Sequence, residues 1–272
     1  MKPITVVVHG ALGKMGKEVT ATVCRDPDLE MVGAVDIQAA QEDLILPDAY
    51  GKVPLSSDVN LLLQSCHPHV MVDFTIAEAS MPAVRVAVEH GVNLVIGTTG
   101  FSDDNIREID QLAGKSKVGV VVAPNFALGA VVLMHLSKIA ARFFDYAEII
   151  ELHHQQKADA PSGTALATAK AMLQSRGKPF VYPTTKKENL SGSRGGQVDG
   201  ITIHSVRLPG FVASQEVVFG ALGQTLNLRH DTISRECFMP GVILAIKEVV
   251  KCQGLVYGLD SLLDFEGNNE GI

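Results

Sequence analysis

The 272-residue chain is predicted to be an α/β protein, with a doubly wound parallel sheet in its first half and a second α+β domain built on a mixed sheet. Three observations carry this prediction. Short β-branched runs alternate with helix-length stretches over residues 4–122, a pattern that gives parallel strands joined by crossover helices. The first run enters a glycine-rich turn that opens a helix. Beyond residue 200 the pattern changes to apolar runs separated by Pro209-Gly210 and Gly220-Ala221-Leu222-Gly223, the punctuation of short reversals. The length suits two domains, expected at residues 1–127, with 239–272 packing back on them, and at 128–238.

Residues 4–9 read as a parallel strand buried on both faces, because they are β-branched without strict alternation. Gly10, Gly13 and Gly16 then fall at a turn and the first helical residues, so that a phosphate can approach bare backbone along Gly10, Ala11, Leu12, Gly13, Lys14 and Met15. A second strand over 30–35 ends in Asp36, 20 residues past the last glycine (36 − 16), the place for a carboxylate that bonds adenosine ribose hydroxyls. The middle glycine of the usual fingerprint is replaced by Leu12. Strand, helix and acid at these distances nevertheless specify a Rossmann-like dinucleotide site.

Residues 37–57 read as a long surface connection with a short helical turn, and 59–64 as a short helix. A third strand over 69–74 reaches Thr75, and a helix over 78–90 is closed by Gly91. The fourth strand, 92–96, carries Gly97, Thr98 and Thr99 at its end, ahead of a helix over 102–113. The fifth, 118–122, ends in Ala123, Pro124, Asn125 and Phe126. In such sheets ligands bind beyond the carboxyl ends of the strands, so these two loops are expected to border a nicotinamide.

Residues 128–142 form an apolar helix leading to the second domain, and the Lys, Ser and Gly-rich stretch 177–200 is expected to be mobile. Strands at 201–208, 211–219 and 225–230 are expected as antiparallel neighbours, joined in a mixed sheet by a strand at 146–152. A helix over 241–251, starting after Pro240, should pack on the first domain.

Composition narrows the function. With 46% hydrophobic and 19% charged residues the chain can build a sizeable core, while 5% aromatic residues and no Trp leave no stacking platform for bases. A net charge of −7 gives no basic face for nucleic acid. Cys24, Cys66, Cys237 and Cys252 are scattered and expected to be reduced, and no apolar run approaches the roughly 20 residues that span a bilayer. A soluble, cytoplasmic protein is expected.

The densest chemistry lies at residues 151–165. His153, His154 and Lys157 are expected on a loop between the strand at 146–152 and a helix announced by Pro161-Ser162-Gly163-Thr164. A helix N-terminus presents free N–H groups and roughly half a positive charge, so with His154 and Lys157 it makes a cradle for a carboxylate or phosphate. Singly, each of these residues is more often a solvated loop residue. Their crowding on a polar loop ended by small residues favours function. Neither His67-Pro68-His69 nor His153-His154 completes a ligand set by spacing, and no metal is expected.

The string Glu-x-His-His-x-x-Lys-x-Asp-Ala-Pro-Ser-Gly-Thr-Ala at 151–165 resembles the signature of the dihydrodipicolinate reductases. The similarity runs on through Gly10-Ala11-Leu12-Gly13-Lys14-Met15-Gly16, Asp73-Phe74-Thr75, Gly97-Thr98-Thr99-Gly100-Phe101 and Asn125-Phe126, nearly the whole chain. The resemblance implies reduction of 4-hydroxy-tetrahydrodipicolinate to tetrahydrodipicolinate, with loss of water, in bacterial lysine and diaminopimelate biosynthesis. It implies His153 as acid/base and Lys157 as proton donor, with His154, Gly163 and Thr164 holding the carboxylates of this small dicarboxylate. It also carries cofactor contacts to the glycine loop, Asp36, the Gly-Thr-Thr loop and the Asn-Phe segment, and implies a homotetramer.

Asp36 favours a ribose 2′-hydroxyl and is followed by uncharged Ile37 and Gln38, whereas Lys14 could reach a 2′-phosphate. Use of both NADH and NADPH, with a modest NADH preference, is therefore expected. Two rivals stand beside this reading. Another small-carboxylate dehydrogenase would share the cofactor features without needing the His-His-x-x-Lys string, and a nucleotide-binding sensor would tolerate loss of His153 and Lys157.

Overall fold

A computed structural model describes residues 2–263 and 265. In chain order the elements are β1 (Ile4–His9), α1 (Lys14–Arg25), β2 (Leu29–Val35), β3 (Asp43–Ile45), β4 (Lys52–Ser56), α2 (Val59–Cys66), β5 (Val70–Asp73), α3 (Ala77–Glu89), β6 (Asn93–Ile96), α4 (Asp103–Ser116) and β7 (Gly119–Val122). They continue with α5 (Leu128–Ala140), β8 (Tyr146–His153), α6 (Gly163–Arg176), β9 (Gly196–Val198), β10 (Ile201–Arg207), β11 (Ala213–Ala221), β12 (Gln224–Thr232), α7 (Met239–Val249) and β13 (Gly254–Tyr257). The chain divides into two compact units, Met1–Phe126 with Phe238–Ile272, and Ala127–Cys237.

The first unit is built on an eight-stranded sheet in the order β13-β7-β6-β5-β1-β2-β4-β3. All neighbours are parallel except β3, which runs antiparallel to β4 at the edge. Val6 to Val8 and Val120 to Val122 are inaccessible or nearly so, because helices cover both faces and leave no solvent side for polar residues to alternate with. The helices supply the complementary stripes. In α1, Gly16, Val19, Thr20 and Val23 are buried at helical spacing, and α4 begins with a capping box between Ser102 and Asn105.

The sheet is wider than the sequence suggests. Residues 37–57 are not merely a connection: they contain β3 and β4, with β4 parallel to β2 through Ala34–Leu55 and Val35–Ser56. Pro54 makes β4 read as a break, yet β4 still buries Val53 and Leu55 on one side. Strand β13, unmarked in the sequence by more than Gly254-Leu255-Val256-Tyr257, pairs with β7. The last helix starts at Met239, with Pro240 in its first turn, where a missing N–H costs nothing. It packs on α1, β5, β6 and β7 of this unit.

In the second unit the sheet order is β12-β11-β8-β10-β9. Of the three late strands, β11 and β12 are antiparallel neighbours as expected, whereas β10 is not beside β11. β8 lies between β10, to which it is parallel, and β11, to which it is antiparallel. The reason is the crossover through α6, which returns the chain beside β8 as a βαβ unit. Residues 208–212 then arc past the carboxyl end of β8, where both Arg207 and Ala213 are in register with His153. Helix α6 packs on β8 and helix α5 on α6, β11 and β12, enclosing Ile149, Met172, Ile201, Ile203, Val217 and Phe219.

Candidate active site

The carboxyl end of β8 organises the second unit. Ala147, Ile149 and Glu151 are the buried residues of this strand, and the two-residue period puts His153 on the same face. His153 is therefore the last residue of the strand, not a loop residue as its polar neighbours suggested. Its backbone carbonyl accepts from Leu208 N at 3.1 Å, which fixes the strand end.

Glu151 is fully inaccessible. A bare carboxylate there would be costly, and the site answers it with charged donors: Arg207 Nη2 to Oε1 at 2.7 Å, Arg207 Nη1 to Oε2 at 3.0 Å, and His153 Nδ1 against Oε2 at 2.5 Å. The Ser162 N–H adds a bond to Oε1 at 3.3 Å. Burial pushes the Glu151 carboxyl up, but the bonds from Arg207, Ser205 and His153 outweigh it and hold the group below its usual range. Burial also dominates at His153 and lowers its pKa, against the opposing pull of Glu151 and with help from the Lys157 and Arg207 charges.

Beyond the strand, residues 154–162 wrap back to the start of α6. Ser162 caps that helix, its hydroxyl accepting from Ala165 N at 3.2 Å. Gly163, exposed, and Thr164, partly buried, form the first turn, and the Thr164 carbonyl accepts from Thr168 Oγ1 at 2.9 Å. Lys157 is bonded to Asp159 at 2.6 Å, and this bond, with smaller help from the Gly163 N–H, keeps the Asp159 carboxyl low. An anion already rests at the cationic helix start. His154 Nδ1 is buried without a hydrogen bond.

In the first unit the glycine loop joins β1 to α1. Gly10 has φ +81°, and a Cβ there would fall 2.7 Å from the Phe74 carbonyl oxygen, while one at Gly16 would fall 2.1 Å from the Gly10 carbonyl oxygen. Helix α1 is capped by Gly13 with no side-chain bond, and Lys14 is its exposed first residue. The buried Asp36 carboxylate accepts from Leu12 N and from Gln38 N, each at 2.9 Å. The acid after β2 thus holds the loop residue that replaces the fingerprint's middle glycine. Beside it opens a cleft of about 530 Å³ lined by His9, Ile37, Asp58, Asn60 and Pro82.

The loops after β6 and β7 lie at the carboxyl ends of their strands. Thr98 is buried and its Oγ1 accepts from Thr75 N at 2.8 Å, whereas Thr99 is exposed. Gly97 faces the Phe74 ring, which would clash with any Cβ, and Phe74 packs on Phe126 with centroids 5.7 Å apart. Ala123 is buried, Pro124 exposed and Asn125 partly buried.

Sequence reasoning missed the partners beneath these residues. Glu151 could have been found, since a Glu two residues before a His on a strand shares its face. Arg207 lies 54 residues beyond His153 (207 − 153) and meets it only through strand register, which no spacing reveals. Asp73 is wholly buried and bonded by Thr75 Oγ1 at 2.7 Å and by the Ser80 hydroxyl, a role that the Asp73-Phe74-Thr75 string alone does not reveal. Among the described residues no cluster of three or more His, Cys, Asp or Glu could hold a metal, and no helix is long and apolar enough to cross a membrane.

Dinucleotide-dependent oxidoreductases are the class in which a Rossmann-type sheet with a glycine cradle accompanies a separate unit bearing acid–base side chains, and this chain is one of them. It belongs to the dihydrodipicolinate reductase family: the family's N-terminus matches residues 4–126 and its C-terminus residues 129–263. A relative from Dehalococcoides mccartyi (strain ATCC BAA-2266 / KCTC 15142 / 195), named 4-hydroxy-tetrahydrodipicolinate reductase, is 60% identical over 263 residues, 97% of this chain and 99% of its own. One of the same name from Moorella thermoacetica is 50% identical over 266 residues, 96% and 98%. The solved structure of dipicolinate-bound dihydrodipicolinate reductase from Paenisporosarcina sp. TG-14 is 40% identical with a TM-score of 0.86, over 96% of this chain and 100% of that one. An amine dehydrogenase from Mycobacterium smegmatis, 17% identical with a TM-score of 0.66 over 97% of both chains, shares the fold alone.

Proposed function

We propose that the chain reduces 4-hydroxy-tetrahydrodipicolinate to tetrahydrodipicolinate with NADH or NADPH and a proton, releasing water, in lysine and diaminopimelate biosynthesis. The observation that carries this is the packing of His153, His154, Lys157 and the first turn of α6 around one short loop. Relatives named for this reaction, and a related structure named for bound dipicolinate, a ring dicarboxylate, support it.

The first unit fits a dinucleotide. Side chains are absent where Gly10 and Gly16 let backbone close up, the capping residue of α1 leaves its N–H groups to a phosphate, and Asp36 stands with a cleft of ligand size beside it. A nicotinamide cofactor supplies the hydride when bound. The residues expected to hold it are Gly10 to Met15, Asp36, Gly97 to Thr99 and Ala123 to Phe126. In the second unit, Gly163 and Thr164 N–H groups and His154 hold substrate carboxylates, with Asp159 giving way to the incoming anion. Lys157 donates a proton, and His153 Nε2 exchanges one, since its Nδ1 is committed to Glu151. A test is product analysis with 4-deuterated NADH. With both C4 hydrogens of the cofactor replaced by deuterium, one deuterium recovered in tetrahydrodipicolinate per cofactor oxidised is expected; cofactor oxidation without labelled product contradicts the reading.

Thr164→Val keeps the shape of the helix start and removes a hydroxyl. Substrate binding should weaken by about 1–3 kcal/mol, the worth of a hydrogen bond to a charged group, with kcat less affected. An unaltered KM in a variant of normal stability would count against a carboxylate at this turn.

The cofactor choice rests on Asp36, uncharged Ile37 and Gln38, and exposed Lys14. Both cofactors should serve, with NADH modestly preferred. Lys14→Ala should raise the ratio of kcat/KM for NADH over NADPH by about two- to fivefold, the scale of one solvated charge pair. A strong NADPH preference in the unaltered chain would overturn the reading of Asp36. Association into a tetramer, checked by light scattering, would cover the large apolar side chains exposed on the second unit, among them Leu208, Leu222 and Ile233.

A further inference from the structure

Glu151 is a wholly buried carboxylate that the reaction outlined above does not consume. Its two oxygens accept from the imidazole of His153, from both terminal nitrogens of Arg207 and from the N–H of the Ser162 cap, with Ser205 beside them. Arg207 also donates to the Asp159 carbonyl at 2.7 Å, so the same guanidinium holds the loop that carries Lys157. One carboxylate therefore ties the strand end, the start of α6 and, through Arg207, the lysine loop.

We propose that Glu151, locked in place by Arg207, is the positioning residue of the site. It accepts a hydrogen bond from the Nδ1–H of His153, fixes the imidazole as the tautomer with Nε2 unprotonated and aimed at substrate, and sets the helix start and the lysine loop around it. This rests on the reading of His153 as the acid/base group. The chemistry favours a clamped carboxylate for three reasons. A carboxylate bonded to Nδ1 fixes the tautomer and stabilises the imidazolium that forms when Nε2 gains a proton. The bidentate Arg207 pair satisfies the remaining lone pairs in a fixed plane. It also keeps the carboxylate ionised, so the proton stays on the ring.

The charged groups that face the imidazole are Glu151 from its own strand, Arg207 from β10 and Lys157 from the loop before α6. Only Glu151 raises its proton affinity. Glu151→Gln removes that pull while keeping the side chain's shape. We expect kcat to fall about ten- to hundredfold, the scale seen when such an outer partner is lost, with the substrate KM within about threefold. The pH limb that depends on His153 should move to lower pH. Because Glu151 acts through His153, Glu151→Gln added to His153→Gln should cost less than threefold further, whereas a residue that merely supports the fold would cost the same in both backgrounds.

Histidine ¹⁵N spectra of the unaltered protein give an independent reading that needs no folded Glu151 variant. The His153 signal, identified by its loss in His153→Gln, should show Nδ1 protonated and Nε2 bare above the imidazole pKa. The Nε2–H tautomer, or a Glu151→Gln variant with unchanged kcat and pH limb, overturns the proposal while leaving His153 as the acid/base. A fully active His153→Gln instead removes the reading on which it rests.

Discussion

His153→Gln should lower kcat by about 10²- to 10⁴-fold, the usual worth of a positioned acid/base group, and leave NADH affinity within about twofold. The separation is expected because the residues proposed to hold the cofactor all belong to the first unit and His153 to the second. Lys157→Ala should fall in the same range, since it removes the donor now resting on Asp159. Burial keeps the imidazole pKa below its ordinary value of about 6.5, so the His153-dependent limb of the pH profile should lie on the acid side of neutrality and vanish in the variant. Steady-state kinetics beside a fluorescence titration of NADH separate the two quantities. Unchanged turnover in both variants would reject the assignment.

Arg207→Met should destabilise the second unit by about 3–5 kcal/mol at neutral pH, because it leaves the Glu151 carboxylate buried without its main partner. The pH dependence has a definite sign. The Glu151 carboxyl is held below its ordinary value of about 4.3, so the unfolded chain binds this proton first on acidification. Its stabilisation is complete above that value and is lost as pH falls through the folded one. His153, also lowered, adds a loss that begins below about pH 6.5. In Arg207→Met the carboxyl can take up a proton more readily, so the gap between variant and unaltered protein should narrow on acidification. Hydrogen exchange of the β8 and β10 amides reports on this unit alone. A variant within about 0.5 kcal/mol of the unaltered protein at neutral pH, a difference typical of a surface change, would mean that Arg207 is not what compensates Glu151.

The core of the fold was legible because its signals are local. The parallel strands β1, β5, β6 and β7 are unbroken apolar runs, and α1, α4 and α6 announce themselves by a glycine turn, Ser102 and Ser162. Where the sequence misled, a non-local effect had won. Pro54 looks like a break, yet β4 is held by β2 on one side and β3 on the other. Residues 201–219 look like a hairpin, yet β8 separates the two strands. The residues of the candidate site were nameable from one fifteen-residue string, whereas the Arg207 clamp on Glu151 was not, since strand register alone brings it there.

Substrate-dependent oxidation of reduced nicotinamide by the purified chain, with 4-hydroxy-tetrahydrodipicolinate generated in the cuvette, tests the central claim most directly. Turnover is expected with both NADH and NADPH, somewhat better with NADH, and abolished or nearly so in His153→Gln. No turnover with either cofactor, in a folded protein that binds them, would contradict it.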